Sequence, residues 1–136
     1  MKKIIVAVML MLMSVSSVYA GSHALKHANP LPNLMRITLG NAELLNLDKG
    51  QVKALKTYAK ANRPKVKELV KKVIAQEKML LQESLGADKD VVKKSEAMFD
   101  TRREIIQMKT TCRAFLKNTL SEKQYAQVIS IYKSVC

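Results

Sequence analysis

The sequence predicts an all-α protein, an elongated array of four antiparallel helices behind an N-terminal export signal. Three observations predict it. Apolar residues recur at steps of three and four over two long stretches. Two helix starts are marked by an acidic or hydroxyl residue followed three positions later by glutamine. No stretch alternates apolar and polar residues convincingly over the length of a strand.

The N-terminus reads as a signal peptide over residues 1–20. Met1-Lys2-Lys3 is basic, Ile4 to Met13 is unbroken apolar, and Val18-Tyr19-Ala20 supplies a small-residue cleavage site. The apolar run is too short for a bilayer span, which takes about 20 residues. Residue 21 is glycine, not the cysteine of a lipid anchor. Export with cleavage after Ala20 is therefore predicted, without stable membrane insertion. The 24 basic residues, less Lys2 and Lys3, face 11 acidic ones and leave a mature charge of about +11. Such a surface attracts nucleic acid, anionic lipid or acidic protein. Export removes nucleic acid.

Residues 21–33 form an N-terminal arm holding His23, His27, Pro30 and Pro32. On a helix the two histidines would share a metal, but two ligands seldom make a site. Solvated histidines are the expectation, with weak zinc or copper binding as the alternative and no other cofactor. Leu34, Ile37, Leu44 and Leu45 then predict a short first helix, weakened by Gly40.

Asp48 and Gln51 make a capping box for a second helix from Lys49 to about Leu85. Its packed row is Val52, Leu55, Ala59, Asn62, Val66, Leu69, Val73, Gln76 and Leu80. Of these, Val52, Leu55, Ala59 and Val66 are candidates for binding as well as packing. Pro64 should kink or break the helix near Ala61 to Arg63. If continuous, the helix is about 55 Å long, wider than a compact globule of this chain length, whose radius of gyration is about 13 Å. The array must be elongated, bent, or completed by a partner chain, and a homodimer would cover an open face.

Gly86, Asp88 and Asp90 mark a turn and a new helix cap. A third helix from about Val91 to Thr119 places Val91, Met98, Ile105 and Cys112 on one row, broadened by Phe99, Ile106 and Leu116. Met35, Met79, Met98 and Met108 are assigned to packing rather than copper. Ser121 and Gln124 start a fourth helix whose Tyr125, Val128, Ile129 and Tyr132 share a face. Cys112 is expected to be mostly buried. If the last two helices turn near Leu120, Cys136 overshoots it by about eight residues, roughly 12 Å, beyond the ~7 Å a disulfide allows. An intramolecular bond through a folded-back tail, an intermolecular bond, and two free thiols all remain open.

The two boxes, Leu47-Asp48-Lys49-Gly50-Gln51 and Leu120-Ser121-Glu122-Lys123-Gln124, each follow a leucine. This pair resembles the Leu-Thr-x-x-Gln signature of the Spy/CpxP family. The resemblance covers about residues 34–133, leaving 134–136 as a tail. Asp48 and Ser121 replace threonine but keep an N-cap oxygen, so Leu47, Asp48, Gln51, Leu120, Ser121 and Gln124 are expected to set helix starts and corners. The resemblance implies a periplasmic, cradle-like four-helix homodimer. Members of the family act as ATP-independent chaperones, as inhibitors of an envelope sensor kinase, or as metal-responsive proteins.

Lys53, Lys56, Lys60, Arg63, Lys67 and Lys71 form a basic stripe about 100° round the second helix from its apolar row. A charge run is usually a solvated face, but such a face normally mixes signs to gain i,i+4 pairs. This one hardly does, and it borders the apolar row. The expected function is holdase capture of unfolded or acidic envelope proteins on this stripe. The alternative is a regulator of a sensor kinase, or a zinc- or copper-responsive protein. An enzyme is not expected: both histidines lie in the arm, away from either cysteine, and no Gly-rich phosphate loop or Cys-x-x-Cys occurs.

Overall fold

The computed structural model describes residues 31–86 and 90–135. The described residues form four elements, all helices: α1 (Leu34–Gly40), α2 (Lys49–Ser84), α3 (Val91–Thr119) and α4 (Glu122–Val135). No strand occurs among the described residues. The proposed signal peptide, His23, His27 and Cys136 lie outside the described residues, as does the arm up to residue 30.

Helix α1 starts where the Asn33 side chain accepts a hydrogen bond from the Arg36 amide at 3.2 Å. It stops at Gly40, short of Leu44 and Leu45. The Asn41 side-chain amide donates to the Ile37 carbonyl at 2.8 Å and competes with continuation. The chain then turns through Asn46, whose φ of 49° suits an asparagine. This turn buries Leu45 and leaves Leu44 exposed, so only one of the two extends the apolar face of α1.

Helices α2 and α3 form a long antiparallel hairpin, and α2 alone spans about 54 Å. The hairpin has two unlike halves. Toward its turn, Leu69, Val70, Val73, Leu80, Met98 and Ile105 make a core from two helices only. Toward its ends, α1 and α4 pack beside it. There Leu34, Met35, Leu45, Leu55, Leu116, Leu120 and Val128 form a second core, edged by Tyr125, Ile129 and Tyr132. The α2 row predicted from sequence is the packed one: Leu55, Leu69, Val73 and Leu80 are buried, and Val52, Ala59, Asn62, Val66 and Gln76 are half-buried. On α3, however, Phe99 and Ile106 are 47% and 40% exposed. Two helices cannot enclose as wide a stripe as three or four, so residues at its edge stay outside. Met79 is exposed for the same reason, whereas Met35 and Met98 are buried and Met108 packs against the two-helix core.

Pro64 does not break α2, which continues through it. Both Pro64 and Lys60 are exposed, so water can serve the Lys60 carbonyl that loses an amide partner. Pro64→Ala is therefore expected to stabilise the fold by about 1–2 kcal/mol, less than the full ~3 kcal/mol penalty of an interior proline. A urea denaturation midpoint that falls in the variant would contradict this.

Candidate functional site

Both capping boxes form. Gln51 N–H donates to Asp48 Oδ1 at 2.7 Å while Asp48 N–H donates to Gln51 Oε1 at 3.1 Å. Gln124 N–H donates to Ser121 Oγ at 3.2 Å and Ser121 N–H to Gln124 Oε1 at 2.9 Å. The sequence does not reveal that the two boxes meet. Gln51 Nε2 donates to Gln124 Oε1 at 2.9 Å, across 73 residues, and to the Thr119 carbonyl at 3.0 Å. Gln124 Nε2 donates to the Leu45 and Asn46 carbonyls at 3.2 and 3.3 Å and to Gln51 Oε1 at 3.3 Å. One clasp thus ties the starts of α2 and α4 to the end of α3 and the turn after α1. Its residues, with the half-buried Leu47 and buried Leu120, are structural.

The predicted basic stripe lies on the outside. Lys53, Lys56, Lys60, Arg63, Lys67 and Lys71 are all exposed. Beside it, Leu55 is fully buried, and Val52, Ala59 and Val66 are half-buried, so these four serve packing first. The hairpin also sorts its charge along its length. Residues 49–67 of α2 hold Lys49, Lys53, Lys56, Lys60, Arg63, Lys65 and Lys67 with no acid, and residues 109–119 of α3 hold Lys109, Arg113 and Lys117 with none. Residues 68–108, the two-helix half, carry acids and bases in equal number. Ion pairs join the helices there: Glu77 with Arg102, and Glu83 Oε1 with Lys94 Nζ at 3.1 Å. At the boundary Lys65 Nζ meets Glu104 Oε1 at 2.9 Å. The four-helix half is therefore uniformly cationic along α2 and α3, and the two-helix half is neutral.

Sequence inspection missed one further feature of the cationic half. Tyr58 and Phe115 stack between α2 and α3, with ring centroids 4.1 Å apart and planes 14° from parallel. Each precedes a packed residue, Ala59 or Leu116, so each falls at the edge of an apolar row; that adjacency was the available signal. The rings floor an open depression walled by Gly50, Lys53, Ala54 and Thr57. A second depression, lined by Leu47, Lys49, Val52 and Lys56, lies across the ridge made by Lys53 and Thr57.

Cys112 is half-buried, less than the heptad row suggests, and has no disulfide partner among the described residues. It lines a small hollow with Leu31, Pro32, Leu34 and Lys109. Burial raises its thiol above the usual range, and the Lys109 ammonium opposes this in part. Lys109 is itself lowered, chiefly by burial. Burial, and then the neighbouring Cys112, raise the Tyr58 phenol. The thiolate is the reactive form, so alkylation of Cys112 should be slow at neutral pH and should accelerate only above the range of an ordinary thiol. Lys109→Met removes the opposing charge and should slow it further. A rate–pH profile matching that of a free thiol would contradict this.

Among the described residues no group of three or more His, Cys, Asp or Glu side chains is placed to hold a metal ion, and no helix is long and apolar enough to cross a membrane. No family model, curated protein or solved structure matches this chain.

Proposed function

We propose that the protein is an exported, periplasmic, ATP-independent holdase of the Spy/CpxP kind that captures non-native or acidic envelope proteins. The observation that supports this most is the sorting of charge: ten basic residues and no acid on the α2 and α3 segments of the four-helix half. Charge of one sign on an exposed surface repels itself and is worth little to the fold. It does draw acidic chain segments from a distance. Half-buried apolar edges beside it then offer short-range contact, and affinity stays modest because no deep pocket orders the bound chain.

The same reading pairs two copies through the other half. There the charges balance, and Met79, Leu81, Leu85, Val92 and Phe99 are exposed apolar residues. Two cationic halves would repel, so a homodimer joined at residues 68–108 keeps them apart. The result would be the cradle that the resemblance implies.

The test is suppression of aggregation of an unrelated acidic protein by the chain from Gly21 onward, against rising salt, with and without residues 21–30. Leu31 and Pro32 are retained because they line the hollow beside Cys112. The holdase reading expects protection that weakens with salt and survives loss of the arm. If the protein is instead a zinc- or copper-responsive regulator acting through His23 and His27, protection is absent and the metal response disappears with the arm.

A further inference from the structure

We propose that the depression over the Tyr58–Phe115 stack seats one aromatic or large aliphatic side chain of a bound chain whose flanking residues are acidic. This rests on the holdase reading and gives it a place of first contact. The floor is two stacked rings, and rings present broad apolar faces to a further apolar side chain. Apart from Lys53 the walls are small: Gly50, Ala54 and Thr57, all exposed. A β-carbon at Gly50 would lie 3.1 Å from the Asp48 capping oxygen, so a larger residue in that wall would crowd the helix cap. No acidic side chain lines this depression or its neighbour, whereas Lys49, Lys53 and Lys56 do.

Charge complementarity selects the occupant. An apolar side chain alone would gain little from so open a depression. Carboxylates on either side of it would reach Lys53 and Lys56, and the seated side chain would fix their register. A basic or neutral flank would meet the lysines without compensation. A second copy of this chain is disfavoured, because its own cationic half would approach like charge. An anionic lipid surface shares the charge but presents no discrete side chain to the rings.

The experiment uses the chain from Gly21 and two fluorescein-labelled peptides of serine and glutamate. One has a single central phenylalanine, and the other has alanine in its place. The parent should bind the phenylalanine peptide about tenfold more tightly, a modest fraction of a fully buried aromatic side chain. Ala54→Gln with Thr57→Gln fills the depression with polar atoms at two exposed helix positions and leaves every lysine in place. In this variant the preference should fall to about twofold or less, with the alanine peptide bound as before. Phe115→Leu, which removes the stack and keeps apolar volume, should reduce the preference in the same direction. Equal binding of both peptides by the parent overturns the proposal, as does a preference that persists in the filled variant. Tighter binding to phosphatidylglycerol vesicles than to either peptide, weakened by the same two glutamines, would also overturn it, in favour of a lipid surface. Aggregation suppression without discrimination sinks the depression alone. Discrimination without aggregation suppression sinks the holdase reading alone.

Discussion

Replacing Gln124 with alanine is expected to destabilise the fold by about 2–4 kcal/mol, although it removes only one side chain from the start of α4. The side chain serves the Ser121 amide, the Leu45 and Asn46 carbonyls and the Gln51 amide together. A typical hydrogen bond contributes about 1 kcal/mol net, and a buried group left without a partner costs about 1–3 kcal/mol. Leu45 is fully buried, so its carbonyl has little access to replacement water. The melting temperature should fall by roughly 10 °C or more for a domain of this size. Gln51→Ala should cost somewhat less, and the double variant should cost less than the sum by about 1 kcal/mol or more. Additivity within about 0.5 kcal/mol would mean that the two amides do not act as one unit. Gln124→Glu gives a second check. One carboxylate oxygen would keep the Ser121 and Gln51 N–H donors, but the other would face three acceptors, the Leu45 and Asn46 carbonyls and Gln51 Oε1, so a proton on that oxygen is favoured in the fold. Its pKa should rise above the unfolded value of about 4.3. Relative to the parent, the Glu variant should therefore recover stability as the pH falls through that raised pKa.

The sequence was most legible where a single helix could be read against its own periodicity. Lys49 and Val91 as helix starts, Thr119 as an end, and the buried row of α2 followed from caps and steps of three and four, although Asp90 precedes α3 without a side-chain capping hydrogen bond. Legibility failed where the outcome depends on how many helices surround a position. Phe99, Ile106 and Met79 have the right spacing for a core, yet no third element among the described residues covers them in the two-helix half. It failed also where a tertiary contact adds to a local motif. Each capping box is visible as four residues, but nothing within either box says that its glutamine has a donor to spare and that the other box lies opposite. The Tyr58–Phe115 stack was hidden for a related reason: two residues at the edges of two rows become a surface only when the rows are laid side by side.

Replacing Lys56, Lys60, Arg63 and Lys67 together with glutamine should reduce aggregation suppression several-fold while helicity stays near that of the parent. All four are exposed, and none is in an ion pair among the described residues. Glutamine is a comparable helix former, so α2 has no local reason to unfold. A matched control takes Lys72, Lys78, Lys93 and Arg103 to glutamine in the neutral half. It removes the same formal charge and at most a weak surface pair between Arg103 and Asp100. If capture depends on where the charge sits, the control should keep most of the parent's activity. Salt should then weaken the parent toward the level of the first variant, because exposed charges are screened over about 8 Å at physiological ionic strength. Equal loss in both variants would show that net charge alone matters and would remove the cationic half from the mechanism.

The two halves of the hairpin also differ in when they can form. Contacts in the neutral half join residues close in the chain, 21 apart for Gln76 and Ala97 and 11 apart for Glu83 and Lys94. Those that close the other half join residues 68 to 79 apart through the glutamine clasp. Loop-closure entropy rises with separation, and folding slows as contacts become less local. The hairpin turn can therefore zip while the chain is still incomplete, whereas the cationic half must wait for α4 to arrive and dock Val128 against Leu55 and Leu116. The core behind the surface proposed for capture is thus expected to be the last to close during folding. Until α4 docks, the core behind the lysine-rich segments of α2 and α3 lacks Val128.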